Sequence, residues 1–428
     1  MKTIVGWPEP ARTKAVIAST EWLLHEMAKP CTAQCIWTLR ELVWPGLPID
    51  HITDAWREKL TLSLEPLKRI GQMEGKSGSL VLVGRLQHEE EPRPSQLLII
   101  KSMSAAESKL TTEWENAQNV KPFTYDRKDS FAIPLRLDQG RADYDLLWTL
   151  CMPTVREGEG PLPDLDVFPR VDDLRTVLGA YDNHDRAETL LKATYTVLKN
   201  LHRSLAFANP ALRRRPVKLG DEYKWYLRGY SASGSELWGP EWINVWAAPK
   251  ERKLSTGSAN PLWVVEQLKS QRSALTYGTI HGDLHAGNII LRGDIDPPAI
   301  IDFGWSQREA HIAKDFVLME CNIRFLTLAP YIKDSDLKTF CGWVSEHQAK
   351  PTLTERYLQT RMILVEALRG YAHDALGPGI NWDLEYLAPL FFVGFGLLRF
   401  AKQLGNQRAA LLFIEALADH LATTLKLV

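Results

Sequence analysis

The chain has 428 residues, 45% hydrophobic and 24% charged, ordinary values for a folded globular protein and too apolar for a disordered one. Lysine plus arginine number 51 against 52 for aspartate plus glutamate, a formal net charge of −1, so no global field draws the chain to nucleic acid or to an anionic membrane. Cys31, Cys35, Cys151, Cys321 and Cys341 are scattered and odd in number, which argues against a disulfide framework and for a reducing compartment.

Residues 1–61 read as an N-terminal helical extension, with Leu23, Leu24, Met27, Leu39 and Leu42 among its apolar positions and Pro30, Pro45 and Pro48 as punctuation. Pro8, Glu9 and Arg12 interrupt the place where the apolar core of a secretory leader would lie. Residues 62–153 change to short β-type runs. Leu62 to Ile70, Ser79 to Leu86 and Gln96 to Lys101 are the first three, Ala105 to Val120 is helical, and Ala132 to Leu137 and Tyr144 to Cys151 follow as strands. This order predicts a small antiparallel sheet with one helix against it. Residues 154–428 begin with a Gly- and Pro-rich linker and are mostly helical. Asp185 to Leu205 is amphipathic with Asp185 as N-cap, 211–261 is an irregular Trp-rich insertion, and Pro261 to Leu275 is a helix. The longest apolar stretch, Tyr386 to Ala401, holds Pro389, Gly394, Gly396 and Arg399 and falls short of the roughly 20 residues of a membrane span. It is expected to be a buried core helix, and the protein to be cytoplasmic.

The chemistry concentrates in His281-Gly282-Asp283-Leu284-His285-Ala286-Gly287-Asn288, followed after an apolar strand, a turn and a second apolar strand by Asp302-Phe303-Gly304. Phosphoryl transfer needs a carboxylate to orient the acceptor hydroxyl and oxygen donors to hold the metal ions that bridge the phosphates. Asp283 suits the first role, and Asn288 and Asp302 suit the second, as hard donors of the kind Mg²⁺ prefers. Asp283 and Asn288 are five residues apart, within the reach of one tight loop.

This pattern resembles the aminoglycoside/choline phosphotransferase family, relatives of the protein kinases. The resemblance implies an α+β, two-lobed protein-kinase-like fold, with a small antiparallel-sheet N-lobe and a larger, mostly helical C-lobe. It implies ATP (or GTP) and Mg²⁺ as cofactors, Asp283 and His281 as catalytic residues, and Asn288 and Asp302 as metal ligands. Asp315 in Lys314-Asp315-Phe316 matches the family's brace for the catalytic loop, and His202 matches a structural histidine on the helix before it. Protein kinases carry Arg where Gly282 stands. Only ten residues separate Gly304 from Asp315, too few for a long activation segment. Both features favour a small-molecule hydroxyl acceptor. The alternatives are a nucleotide-binding regulatory module without turnover, or a kinase acting on a protein, with a weaker resemblance to kinase-like domains of bacterial conflict systems.

On the nucleotide side, Gly75, Lys76, Ser77, Gly78 and Ser79 lie between two strands, where backbone N–H groups can cradle phosphate oxygens. They do not form a P-loop, because Ile70 stands where that pattern needs glycine. Lys101 closes an apolar strand, where a lysine is costly unless paired. The resemblance assigns it to the α- and β-phosphates, with Glu113 chosen as its helix partner over Glu107 and Glu115. A cationic acceptor would favour an acidic wall, for which Glu320, Glu366, Asp374, Asp383 and Glu385 are candidates. No nucleic-acid or membrane partner is expected. A protein partner could dock through residues 1–61.

Overall fold

The computed structural model describes residues 60–66, 80–88, 96–104, 110–124, 130–136, 144–149, 173–180, 184–208, 213–228, 246, 251–291, 298–346 and 348–427. The expected extension up to residue 59, the Gly75 to Ser79 loop, Glu107, the linker after Met152 and most of the Trp-rich insertion lie outside the described residues. The chain divides into two compact units, residues 1–172 with 290–304 and residues 173–289 with 305–428.

The first unit carries a five-stranded antiparallel sheet in the order β1-β2-β3-β5-β4. Its strands are β1 (Leu60–Pro66), β2 (Leu80–His88), β3 (Gln96–Ser104), β4 (Pro134–Arg136) and β5 (Tyr144–Thr149). The β-branched and leucine-rich runs made these strands legible. β1 begins two residues before its expected start and ends at Pro66, whose missing N–H cannot extend the ladder. Helix α1 (Leu110–Val120) packs against β4 and β5 and buries Leu110, Glu113, Ala117 and Val120, a single face at helical spacing.

The second unit is mostly helical. α2 (Leu174–Gly179), α3 (His184–His202) and α4 (Ser204–Ala208) lead into β6 (Arg214–Lys218) and α5 (Leu219–Glu222). Asp185 therefore sits inside the first turn of α3 rather than before it, where its charge still complements the helix dipole. α6 (Pro261–Ser270) is capped by Asn260, whose side chain accepts from the Leu262 N–H at 2.9 Å, with Pro261 opening the helix. It stops five residues before its expected end. Arg272 to Ile280 is instead β7, central in a sheet of order β10-β7-β6, with β10 at Gln307–His311. Pairing of Arg272 to Thr276 with β6, continued by β10 along Tyr277 to Ile280, outweighs the helical pattern there. Next in sequence comes the expected short pair β8 (Ile289–Ile290) and β9 (Ala299–Ile300), of which Ile290 and β9 belong to the first unit.

The remaining helices are α7 (Ala313–Cys321), α8 (Asp334–Gly342), α9 (Arg356–Leu376), α10 (Ala388–Leu397) and α11 (Gln407–Thr424). α10 is buried from Ala388 through Gly396, so the apolar stretch is a core helix. Each fully buried Leu or Phe there contributes about 1.5–3 kcal/mol. Among the described residues no helix is long and apolar enough to cross a membrane. Cys321 and Cys341 are free thiols buried in this core.

Candidate active site

β7 delivers His281 at its end, and Asp315 in the first turn of α7 receives it. Asp315 Oδ2 accepts the His281 N–H at 2.9 Å and Oδ1 accepts the Gly282 N–H at 2.8 Å. His202 Nε2 lies 3.0 Å from Oδ2, and the Tyr195 hydroxyl donates to the Asp315 carbonyl at 3.0 Å. The expected brace and the structural role of His202 are thus both visible. Burial pushes the Asp315 carboxyl up, but His202, the nearby His281 and the Gly282 N–H outweigh it and hold the group below the usual carboxylate range.

A carboxyl depressed in the fold contributes stability above its unfolded pKa near 3.9, and loses it as pH falls through the folded value. Asp315→Asn should cost roughly 1–3 kcal/mol at pH 7, the worth of hydrogen bonds to a buried charge. Urea unfolding should show the gap between wild type and variant shrinking below about pH 4. A gap that does not change with pH would disprove the charged role.

Gly282 has φ +85°, and a Cβ on it would lie 2.8 Å from the Trp305 carbonyl carbon. This explains why the kinase arginine is absent here: only glycine takes this conformation against another backbone. Gly282→Ala should destabilise the protein by roughly 2–4 kcal/mol, combining left-handed strain and overlap. Thermal unfolding measures it, and an unshifted midpoint would contradict the close approach.

After Gly282 the loop closes on itself. The His285 N–H donates to the Asp283 carbonyl at 2.8 Å and the Asn288 N–H to the His285 carbonyl at 2.9 Å. Asn288 Nδ2 donates to the same Asp283 carbonyl at 2.8 Å, leaving Oδ1 as the amide's acceptor. The Asp283 N–H donates to His281 Nδ1 at 3.3 Å, and the Gly287 N–H to His285 Nδ1 at 3.1 Å. From outside, Asn322 Oδ1 accepts the Ala286 N–H at 3.3 Å. The backbone of Asp283 is therefore fixed, while its side chain is 37% exposed and, among the described residues, His285 Nε2 approaches its carboxylate at 3.9 Å. His281 is fully buried and Asn288 nearly so.

In the first unit, Asp302 adopts φ +66°, a left-handed conformation costly for a non-glycine residue. Phe303 is fully buried and its ring lies 6.3 Å from that of Phe131. Phe131 bridges to Ile300, and the Ala132 N–H donates to the Ile300 carbonyl at 2.9 Å. Asn116 of α1 donates from Nδ2 to the Gly304 carbonyl at 2.6 Å. A Cβ on Gly304 would lie 3.5 Å from Asp302 Oδ1 and 3.6 Å from Glu113 Cγ, so Asp302 and Glu113 meet over this glycine. Lys101 lies on β3 with Val81 and Leu147 opposite it in the two ladders, but its side chain lies outside the described residues. So does the whole of the Gly75, Lys76, Ser77, Gly78, Ser79 loop.

The acidic wall does not form from the expected residues. Glu320 is buried between Arg324 and Arg369, Glu385 pairs with Arg214 at 2.5 Å, Glu366 with Lys350 at 2.5 Å and Asp383 with His420 at 3.1 Å. Asp374 alone of the five is exposed with no partner among the described residues. The basic run Arg213 to Arg215 is likewise engaged, through the Ala375 carbonyl, Glu385 and Glu309. Sequence reasoning missed Asn322, Asn116 and Trp305. It also missed Arg175 of α2, whose guanidinium lies against Gly287 and which stands alone in sequence.

A family described as ternary complex associated domain 9 matches residues 245–368, which include this loop. No curated protein matches the chain. The chain is similar in structure to kinase-like phosphotransferases. An aminoglycoside-3'-phosphotransferase of type VIII overlaps at 15% identity and TM-score 0.41, covering 79% of this chain and 92% of that one. An aminoglycoside phosphotransferase in ternary complex with ADP and hygromycin B overlaps at 10% identity and TM-score 0.40, covering 85% and 94%. An ethanolamine kinase of Plasmodium vivax overlaps at 11% identity and TM-score 0.34, covering 94% and 96%.

Proposed function

We propose that the chain is a phosphotransferase that moves the γ-phosphoryl group of ATP (or GTP) to a hydroxyl of a small-molecule acceptor. The observation that carries this reading is the Asp283 carboxylate, open to solvent on a backbone locked by Asn288 Nδ2 and by the Asp315 brace. A base must be both accessible and held in one place, and this loop supplies both conditions.

In the proposed reaction the acceptor oxygen bonds to the γ-phosphorus and its proton passes to Asp283. The bond between that phosphorus and the bridging oxygen breaks, and the nucleoside diphosphate leaves. Asn288 Oδ1 and the Asp302 carboxylate are oxygen donors suited to Mg²⁺, and the strained backbone of Asp302 is consistent with a functional constraint. Bound Mg²⁺ would neutralise charge on the phosphates. The resemblance assigns Lys101 to the nucleotide phosphates, with Glu113 as the carboxylate that positions it and the backbone N–H groups of Gly75 to Ser79 as further phosphate donors. His281 acts by positioning, because its buried ring accepts the Asp283 N–H.

Calorimetry with ATP and GTP tests this reading. Binding should require Mg²⁺, and Asp302→Ala should weaken it about tenfold or more, equivalent to roughly 1.4 kcal/mol. A wild type that binds neither nucleotide would refute the proposal.

A further inference from the structure

The proposed function leaves the acceptor defined only by its hydroxyl, and Arg175 narrows it. α2 buries Leu174, Val177 and Leu178 and leaves Arg175 on its exposed side. The acidic residue nearest in sequence, Asp173, is occupied as the N-cap, its Oδ1 accepting from the Thr176 N–H at 2.9 Å and hydroxyl at 3.1 Å. The Arg175 guanidinium instead reaches the candidate catalytic loop. A Cβ on Gly287 would lie 3.0 Å from Arg175 Cζ and 3.1 Å from His285 Cε1, so guanidinium and imidazole share the space over this glycine. Asn288 is the next residue, and the adjacent ring atom, His285 Nε2, lies 3.9 Å from Asp283 Oδ2.

Arg175 has no hydrogen bond or ion pair among the described residues. In the same unit Arg214, Arg215, Arg324 and Arg369 each meet a carboxylate. At the opposite end of the loop, Asp315 is occupied by the Gly282 N–H. Trp305, whose backbone abuts Gly282, lies 5.0 Å from Trp225, and Arg399 stacks over Trp225 at 4.4 Å and Phe400 at 4.8 Å. Arg399 Nη1 donates to the Trp225 and Arg228 carbonyls at 3.4 and 3.3 Å, which leaves Arg175 as the guanidinium that reaches the loop itself. Beside Gly287 the loop therefore offers guanidinium where a polycationic acceptor would need carboxylate.

We propose that Arg175 binds an acidic group of the acceptor, carboxylate or phosphate, so that the acceptors are hydroxylated anions. A planar guanidinium suits either group by paired N–H donation. This inference rests on the phosphotransferase reading, and its test separates the two.

The full chain, first titrated with ADP and Mg²⁺ and then held saturated with them, is titrated calorimetrically with gluconate, glucose 6-phosphate, glucose and kanamycin. At least one of the two anions should bind about tenfold tighter than glucose, a preference that salt weakens. Which of the two does so distinguishes a carboxylate from a phosphate. Arg175→Gln should abolish the preference and leave ADP affinity unchanged. Anions binding no better than glucose, a preference for kanamycin, or a loss of ADP affinity in Arg175→Gln would each overturn the inference while the phosphotransferase reading stands. Failure of the wild type to bind ADP would remove both.

Discussion

Glu320→Ala should cost at least 3–5 kcal/mol of unfolding free energy, roughly the loss seen when one member of a buried ion pair is removed. Glu320 is fully buried on α7. Its Oε1 accepts from Arg324 Nε at 2.7 Å and Arg369 Nη2 at 2.7 Å, and its Oε2 from Arg369 Nε at 3.0 Å and the Tyr386 hydroxyl at 2.8 Å. The two arginines also donate to carbonyls of Trp343 and Val344, tying α7 and α9 to the segment after α8. Alanine would leave two guanidiniums buried beside each other with no carboxylate between them. That loss is a large share of a typical stability of about 5–15 kcal/mol. Burial pushes the Glu320 carboxyl up, but Arg369 and then Arg324 outweigh it and hold it at about 2. Its stabilisation is thus present above the unfolded pKa near 4.3 and fades as pH falls toward 2. Urea unfolding at pH 7 decides the point. If Glu320→Ala does not fold, Glu320→Gln, which keeps shape and two acceptor sites, should show an intermediate loss. An unchanged midpoint in Glu320→Gln would mean that the carboxylate charge contributes nothing.

The same residue shows where sequence reading failed. Glu320 was a candidate for an acceptor-binding wall because a glutamate carries no mark of its partner. Arg324, one turn later, is a local cue to pairing, whereas Arg369 is distant in sequence and reaches it only through the packing of α7 on α9. Strands fared better, because an alternating or continuously apolar run bounded by turns has few other uses. β7 was the exception. Its first half, Arg272 to Leu275, follows α6 with no breaker, and only pairing with β6 reveals it as a strand. The loop from His281 to Asn288 was legible as a motif because its bonds are local: His281 with Asp283, Asp283 with His285 and Asn288, His285 with Gly287. Arg175 was not, since a lone arginine on a six-residue helix carries no periodic or motif signal, and only the bare Cα of Gly287 lets it reach the loop.

Asp283→Ala should reduce phosphoryl transfer, or background nucleotide hydrolysis before an acceptor is known, by about 10²–10⁴-fold, the usual contribution of a positioned base. Stability should change little. No hydrogen bond among the described residues ends on the Asp283 carboxylate, and the loop is held by its backbone and by Asn288 Nδ2. Nucleotide affinity should also hold within a few-fold, because the oxygen donors assigned to the metal are Asn288 and Asp302. This combination separates a base from a structural residue: Asp315→Asn would lower activity and stability together, whereas Asp283→Ala would lower activity alone. Undiminished turnover in Asp283→Ala would remove Asp283 as the base. A wild type that binds Mg²⁺-nucleotide yet transfers to neither water nor any hydroxyl would instead favour a regulatory nucleotide-binding module, in which the locked loop serves recognition of the bound nucleotide.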